Sequence, residues 1–285
     1  MAQIDFPYKR LQGNDLIPMQ MLGTFPMKGN QLRKSVMGAM RIGLRGFDCA
    51  RDYLNEIDLG VAINEACIKN NLTRANLFVT TKIGNQQQKN YVTHINFLQD
   101  IDTSLFNLKM EYVDLLLLHW PLPDYYIKTW KLLEELPYEK VHNIGVCNFR
   151  KRHLVKLINN CGKKPALNQI EIHPLYVDWD TITFCQENGI AIQAYCPLGL
   201  MDSRLTQSDI LNKLSFQYNK SIAQIVLRWH FQHGFLTIPK SSDPNRIKEN
   251  GMIFDFELAK YEMGLIDGMN LCEKKYIESF YCPGY

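Results

Sequence analysis

Among the eight cysteines of this 285-residue sequence, at positions 49, 67, 147, 161, 185, 196, 272 and 282, no two form a Cys-x-x-Cys pair. That spacing offers neither a zinc site nor a disulfide framework, and it points to a reducing compartment. Long hydrophobic runs are missing too. Stretches such as Leu115–Leu118 are far too short to span a bilayer, and Met1–Arg10 has no apolar core of the kind a signal peptide needs. No excess of one charge stands out, since 32 Lys and Arg face 29 Asp and Glu. The basic knots Lys151-Arg152-His153 and Lys163-Lys164 read as solvated helix ends, so neither a nucleic acid nor a membrane is expected as a partner. No G-x-G-x-x-G or P-loop run occurs, and no linker or low-complexity segment interrupts the chain. The expectation is a soluble, cytoplasmic, single-domain protein over residues 1–285.

What is present is a rhythm. Gly13-Asn14-Asp15 signals a hairpin turn within Leu11–Ile17. Strand patterns then fall at Met19–Leu22, Leu44–Asp48, Leu77–Thr81, Tyr112–Leu118, Val141–Val146, Ala166–Ile172, Ile190–Tyr195 and Phe235–Ile238. Helical patterns separate them, at Gln31–Ile42, Asp58–Lys69, Val92–Leu108, Tyr126–Glu135, Lys151–Asn160 and Trp179–Asn188, then Ser208–Tyr218 and Ser221–His233. Pro244 opens a further helix and Leu258–Met269 reads as another. Strands alternating with helices imply a parallel sheet, and eight such units with short connections imply a (β/α)8 (TIM) barrel with an N-terminal β-hairpin. A doubly wound open sheet is the alternative, but it lacks its glycine-rich phosphate turn.

In such a barrel the active site lies at the C-terminal ends of the strands. Those ends carry Asp48 and Tyr53, then Lys82, then His119. Each has a plain structural reading: Asp48 can cap a helix, Tyr53 can cover the core, Lys82 can be solvated and His119 can be a satisfied core group. Together on three consecutive strand ends they make an acid-catalysis site. A free phenol has a pKa of about 10, and a nearby ammonium is expected to lower it. Asp48 would hold Lys82 charged, and a neutral His119 would orient a substrate oxygen. A phenol that protonates a carbonyl oxygen needs a hydride donor at the carbon.

The motifs now resemble those of the aldo-keto reductase family. They are Asp48-x4-Tyr53-x-Asn55-Glu56, Thr80-Thr81-Lys82, Tyr112-Val113-Asp114 leading to His119-Trp120-Pro121, Ile144–Phe149, Asn168–Glu171, Ala194–Gly199 and Ile238–Ser241. Ile247–Asn250 and Phe254–Leu258 place the chain nearest the short-looped branch that includes microbial diketogluconate reductases and protist prostaglandin F synthases. The resemblance covers about Leu16 to Asn270 and implies NADPH-dependent reduction of small aldehydes and ketones by a monomer. It implies Tyr53 as proton donor, Lys82 and Asp48 as its tuning pair, and His119 as orienter. For the cofactor it implies Cys147, Asn148 and Gln169 at the nicotinamide carboxamide, Tyr195 stacked on the ring, and Thr24 and Leu198 beside it. Lys240, Ser241 and Arg246 would grip the 2′-phosphate, and Glu249 and Asn250 the adenine. Phe25 and Trp120 would flank the carbonyl.

The chain departs from the family pattern at several points. Cys147 stands where serine is common, so weaker cofactor binding is expected, and Cys196 likewise replaces a common serine. Cys147 reads either as an oxidation-sensitive thiol or, the favoured reading, as a buried, inert one. His142 occupies a usually basic position, and the connection at Pro137 is short. Gly84–Asn90 and Gly199–Ser208 read as short loops, implying an open pocket. The aromatic ending Phe280–Tyr285 reads equally as a cover over the site or as loosely packed tail. His230-x-x-His233 lacks a third ligand in register, and no metal is expected. A cofactor-binding redox sensor or accessory subunit on the same barrel is the rival reading.

Overall fold

The structure, a computed structural model, describes residues 3–91 and 93–285. A hairpin comes first: β1 (Tyr8–Arg10) pairs antiparallel with β2 (Leu16–Pro18), and Gly13 and Asn14, both at positive φ, turn the chain between them. Among the described residues eight parallel strands follow. These are β3 (Leu22–Gly23), β4 (Gly46–Asp48), β5 (Phe78–Ile83), β6 (Val113–Leu118), β7 (Val141–Cys147), β8 (Leu167–Glu171), β9 (Ala191–Tyr195) and β10 (Leu236–Thr237). Each pairs with its successor, and the last returns to the first. Thr237 O accepts from Met21 N and Thr237 N donates to Met19 O, both at 2.9 Å. The run expected as one strand, Met19–Leu22, is therefore shared: its start pairs with β10 and its end with β4. This closes the expected barrel.

Helices alternate with the strands: α1 (Gly29–Arg41), α2 (Glu56–Asn70), α3 (Asn85–Asn90), α4 (His94–Leu108), α5 (Tyr126–Glu134), α6 (Lys151–Ile158) and α7 (Trp179–Glu187). After β9 come α8 (Ser203–Thr206), α9 (Asp209–Tyr218) and α10 (Ile222–Gln232), and after β10 come α11 (Pro244–Gly251), α12 (Lys260–Asp267) and α13 (Glu278–Tyr281). Caps mark their starts. Thr93 Oγ1 accepts from Asn96 N at 3.2 Å ahead of α4, and Ser221 Oγ from Gln224 N at 3.3 Å ahead of α10. Val92, read as the start of α4, lies outside the described residues, as do Met1 and Ala2 of the segment weighed as a signal peptide. No helix among the described residues is long and apolar enough to cross a membrane.

Two expected loops contain helices instead. The polar run Asn85–Asn90 has no apolar period to announce α3, which forms around buried Gln88, whose Nε2 donates to Trp120 O at 3.1 Å. α8 starts where Asp202 accepts from Arg204 N at 2.9 Å.

Strand alternation sorts the core into two layers. Leu116 and Leu118 join the large outer cluster between sheet and helices. Leu115 and Leu117 point the other way, into the barrel, with Phe78, Cys147, Leu167, Ala191 and Leu236. Leu11 and Ile17 of the hairpin belong to that inner cluster, so the hairpin plugs the N-terminal end of the barrel. His142 lies near the same end, stacked between Tyr112 and Tyr138 with both ring centroids at 4.3 Å.

Candidate active site

The alternation that buries Leu115 and Leu117 turns the last inward residues of the neighbouring strands to the C-terminal mouth. Asp48 ends β4, Lys82 lies near the end of β5, Cys147 ends β7, Gln169 lies in β8, and Gln193 and Tyr195 lie in β9. Of these, Asp48, Cys147, Gln169 and Tyr195 reach a cavity of about 520 Å³. Asp48, Tyr53 and His119 line it, and Lys82 stands behind them, only 1% exposed.

Tyr53 arrives on a single 3-10 turn, Arg51–Tyr53, ended by Leu54 in the left-handed region. Its hydroxyl lies 3.3 Å from Lys82 Nζ. Lys82 Nζ also donates to Asp48 Oδ1 at 2.5 Å and to Cys49 O at 2.8 Å. The second oxygen, Asp48 Oδ2, accepts from Gln169 Nε2 at 2.7 Å. A buried ion pair is tolerable when its remaining valences are met, and here they are. Burial alone would lower the Lys82 pKa, but Asp48, joined by Tyr53 and Cys147, outweighs it, and the ammonium is held above its ordinary range.

The phenol departs from expectation. Burial raises Tyr53 above the ordinary 10, and the lowering by Lys82 does not overcome it. Tyr53 is therefore firmly a neutral acid in the free protein. Burial likewise pushes His119 below the usual imidazole range, leaving it neutral near pH 7.

The remaining residues singled out from the sequence divide into two groups. Thr24, Phe25, Trp120, Cys147, Asn148, Gln169, Tyr195, Leu198 and Lys240 all line the cavity. Ser241, Arg246, Glu249 and Asn250 lie outside it, along α11 and its approach. Several polar groups are already engaged. Thr24 Oγ1 donates to Asp48 O at 2.8 Å, Gln169 Nε2 also donates to Gln193 Oε1 at 2.8 Å, and Tyr195 OH donates to Asn148 Oδ1 at 2.8 Å. Gln169 Oε1 keeps a free lone pair, facing only the weak donor Cys147 Sγ at 3.5 Å. Burial pushes the Cys147 thiol up to about 12, so it is inert.

Sequence reasoning missed Asp52, Asn85, Leu200, Met201, Tyr276 and Tyr281, which also line the cavity. Tyr276 had no signal, and the aromatic ending Phe280–Tyr285 was the one signal for Tyr281. Of its two readings the structure takes the cover: Tyr281 stacks on Trp120 at 5.7 Å and 4°, and Tyr285 OH donates to Asn148 O at 2.7 Å. The tail is pinned from below by Glu171 at the end of β8. This buried carboxylate accepts from Lys275 N at 2.5 Å and Tyr276 N at 3.2 Å, and pairs with His173 Nε2 at 3.0 Å.

The pair His230 and His233 separates: His230 Nε2 meets Pro197 O and His233 Nε2 meets Asp267. Among the described residues no cluster of His, Cys, Asp and Glu could hold a metal. A nicotinamide nucleotide does fit the residues present. The free Gln169 Oε1 can accept from a carboxamide. Lys240 and Arg246, both exposed and outside every ion pair among the described residues, suit a phosphate.

A closed parallel barrel with a phenol, an ammonium, a carboxylate and an imidazole at its mouth is the architecture of a barrel oxidoreductase. Comparison with known proteins makes the class specific. A profile of the Aldo/keto reductase family matches residues 20–271. The chain is 39% identical over 255 residues to a glyoxal reductase of Bacillus subtilis, covering 89% of each protein. It is 39% identical over 244 residues to a 9,11-endoperoxide prostaglandin H2 reductase of Trypanosoma cruzi, covering 85% of this chain and 83% of that one. Among solved structures, an aldo-keto reductase of Bombyx mori in complex with NADP superposes with a TM-score of 0.89 at 30% identity, covering 99% of this chain and 97% of that one. The chain belongs to the aldo/keto reductase family.

Proposed function

We propose that this chain reduces small aldehydes and ketones to alcohols with NADPH, Tyr53 giving the proton, and that it works in the cytoplasm as a monomeric single domain over residues 1–285. The observation that carries this is the buried chain Asp48–Lys82–Tyr53, at 2.5 Å and 3.3 Å, opening on the cavity. Relatives named glyoxal reductase and methylglyoxal reductase make 2-oxoaldehydes the first substrates to try.

Bound NADPH supplies hydride to the carbonyl carbon. Lys240, Ser241 and Arg246 would hold its 2′-phosphate, Glu249 and Asn250 its adenine, and Asn148 and Gln169 its carboxamide. Tyr195 would support the ring, with Thr24, Cys147 and Leu198 alongside. A substrate oxygen between Tyr53 and His119 takes its proton from the phenol. Lys82 stabilises the phenolate that remains, and Asp48 keeps Lys82 charged and in place. Phe25, whose ring is 4.9 Å from that of Tyr53, and Trp120 wall the substrate in.

The test follows NADPH absorbance with a panel of small aldehydes, for wild type and Tyr53→Phe. Turnover that falls by about two to four orders of magnitude in the variant, with NADPH affinity unchanged, supports the proposal. NADPH binding with no turnover of any carbonyl overturns it and leaves the sensor reading.

A further inference from the structure

Asp52 directly precedes Tyr53, and its carboxylate turns toward another polar group of the site. Asp52 Oδ2 stands 3.4 Å from His119 Nδ1. That nitrogen is buried and makes no well-formed hydrogen bond, while the ring lines the cavity, edge-on to Tyr53 with centroids 5.8 Å apart. The contact is long, as catalytic hydrogen bonds commonly are before a ligand draws them in. Its seat is shaped by Gly84. A Cβ built there would fall 2.1 Å from Asp52 Oδ1, so a residue with no side chain leaves room for the carboxylate. Asp52 forms no other ion pair among the described residues.

A neutral imidazole carries a single N–H, and its location decides what the ring can do. With Nδ1–H directed at Asp52, Nε2 holds only a lone pair and cannot donate to a carbonyl oxygen. Once the ring gains a proton, the carboxylate balances the charge and Nε2–H becomes a donor. The charged groups that face the ring are Asp52 from the 3-10 turn, Asp48 from β4 and Lys82 from β5. Burial lowers the His119 pKa, Lys82 adds to that, and the two carboxylates oppose it.

We propose that Asp52 is a positioning residue that holds His119 in the Nδ1–H tautomer and supports its protonated form as the donor to the substrate oxygen. The proposal rests on the reductase reading above. Carbonyl reduction then declines as pH rises through the His119 inflection. Asp52→Asn keeps the shape and removes the charge, so the inflection moves to lower pH by about one unit. Gly84→Ala displaces the carboxylate without removing it and moves the inflection the same way.

The experiment is a titration of protein labelled with 15N-histidine, without substrate. His119 is assigned through His119→Gln, and the pH profile of kcat/KM is recorded alongside. An Nδ1–H tautomer in wild type, with a lower inflection in Asp52→Asn and Gly84→Ala, is the expected result. An Nε2–H tautomer in wild type, or an inflection unmoved in Asp52→Asn, overturns the proposal. Because the ring titration needs no turnover, absence of activity would count against the reductase reading alone.

Discussion

Lys82 Nζ lies 2.5 Å from Asp48 Oδ1, and both side chains are sealed from solvent at the inner ends of adjacent strands. Removing one partner of such a pair leaves an uncompensated charge in the barrel, at a cost of about 3–5 kcal/mol. Lys82→Met is therefore expected to lower unfolding stability by about that amount and to abolish turnover. The double variant Asp48→Leu/Lys82→Met should recover part of the stability and none of the activity. Urea denaturation and NADPH turnover of the three proteins separate the two effects.

Arg246 is exposed at the start of α11, and we propose that it holds the 2′-phosphate. A charge-assisted hydrogen bond contributes about 1.5–3 kcal/mol, and exposure puts this one at the lower end. Arg246→Ala should weaken NADPH about tenfold and leave NADH within about twofold. Quenching of tryptophan fluorescence by each nucleotide measures both, and equal losses would contradict the assignment.

Glu171 reaches the site through the tail, by way of the backbone N–H groups of Lys275 and Tyr276. Glu171→Gln exchanges a charged acceptor for a weaker one and leaves buried His173 without its carboxylate. The tail should loosen, Tyr276 and Tyr281 should stop walling the cavity, and KM for the carbonyl should rise about tenfold with a smaller change in kcat. Limited proteolysis should cut after Asn270 sooner than in wild type. Unchanged proteolysis and KM together would show that other tail contacts suffice.

His230 is fully buried, with Nε2 on Pro197 O and Nδ1 unpartnered. Burial holds its pKa at about 3, against 6.5 in the unfolded chain. Between those values the unfolded state binds the proton and the folded state does not. This contribution to stability is therefore complete above pH 6.5 and is lost progressively as pH falls toward 3. His153, held at about 4 by burial and neighbouring arginines, acts in the same direction. Unfolding free energy measured from pH 7 to pH 4 should fall in wild type and fall less steeply in His230→Gln. Parallel slopes would sink this account.

Much of this was legible in the sequence. The βα rhythm, the hairpin turn and the residues at the strand ends are local properties, set by period-2 and period-3.6 patterning and by which residue follows an apolar run. Asp48, Lys82 and His119 could be placed at the mouth because each sits at or just past the end of a strand pattern, whereas Gln169 and Tyr195 were legible only through the family's motifs. α3 could not be read, because a helix of Gln, Lys and Asn, held by one buried amide, has no apolar period.

What only the tertiary structure decided concerns contacts between distant segments and the dielectric around them. Closure of the barrel depends on Thr237 meeting Met19 and Met21, which no local pattern encodes. Tyr53 sits beside Lys82 as expected, yet its acidity falls rather than rises, because burial outweighs one ammonium. The tail covers the site because Glu171, about a hundred residues upstream, accepts its backbone N–H groups. Asp52 gained its place beside His119 only when a turn after β4 met the end of β6. Residue types and strand ends are written along the chain; the partners of a buried charge, and the pKa that follows from them, are set by packing.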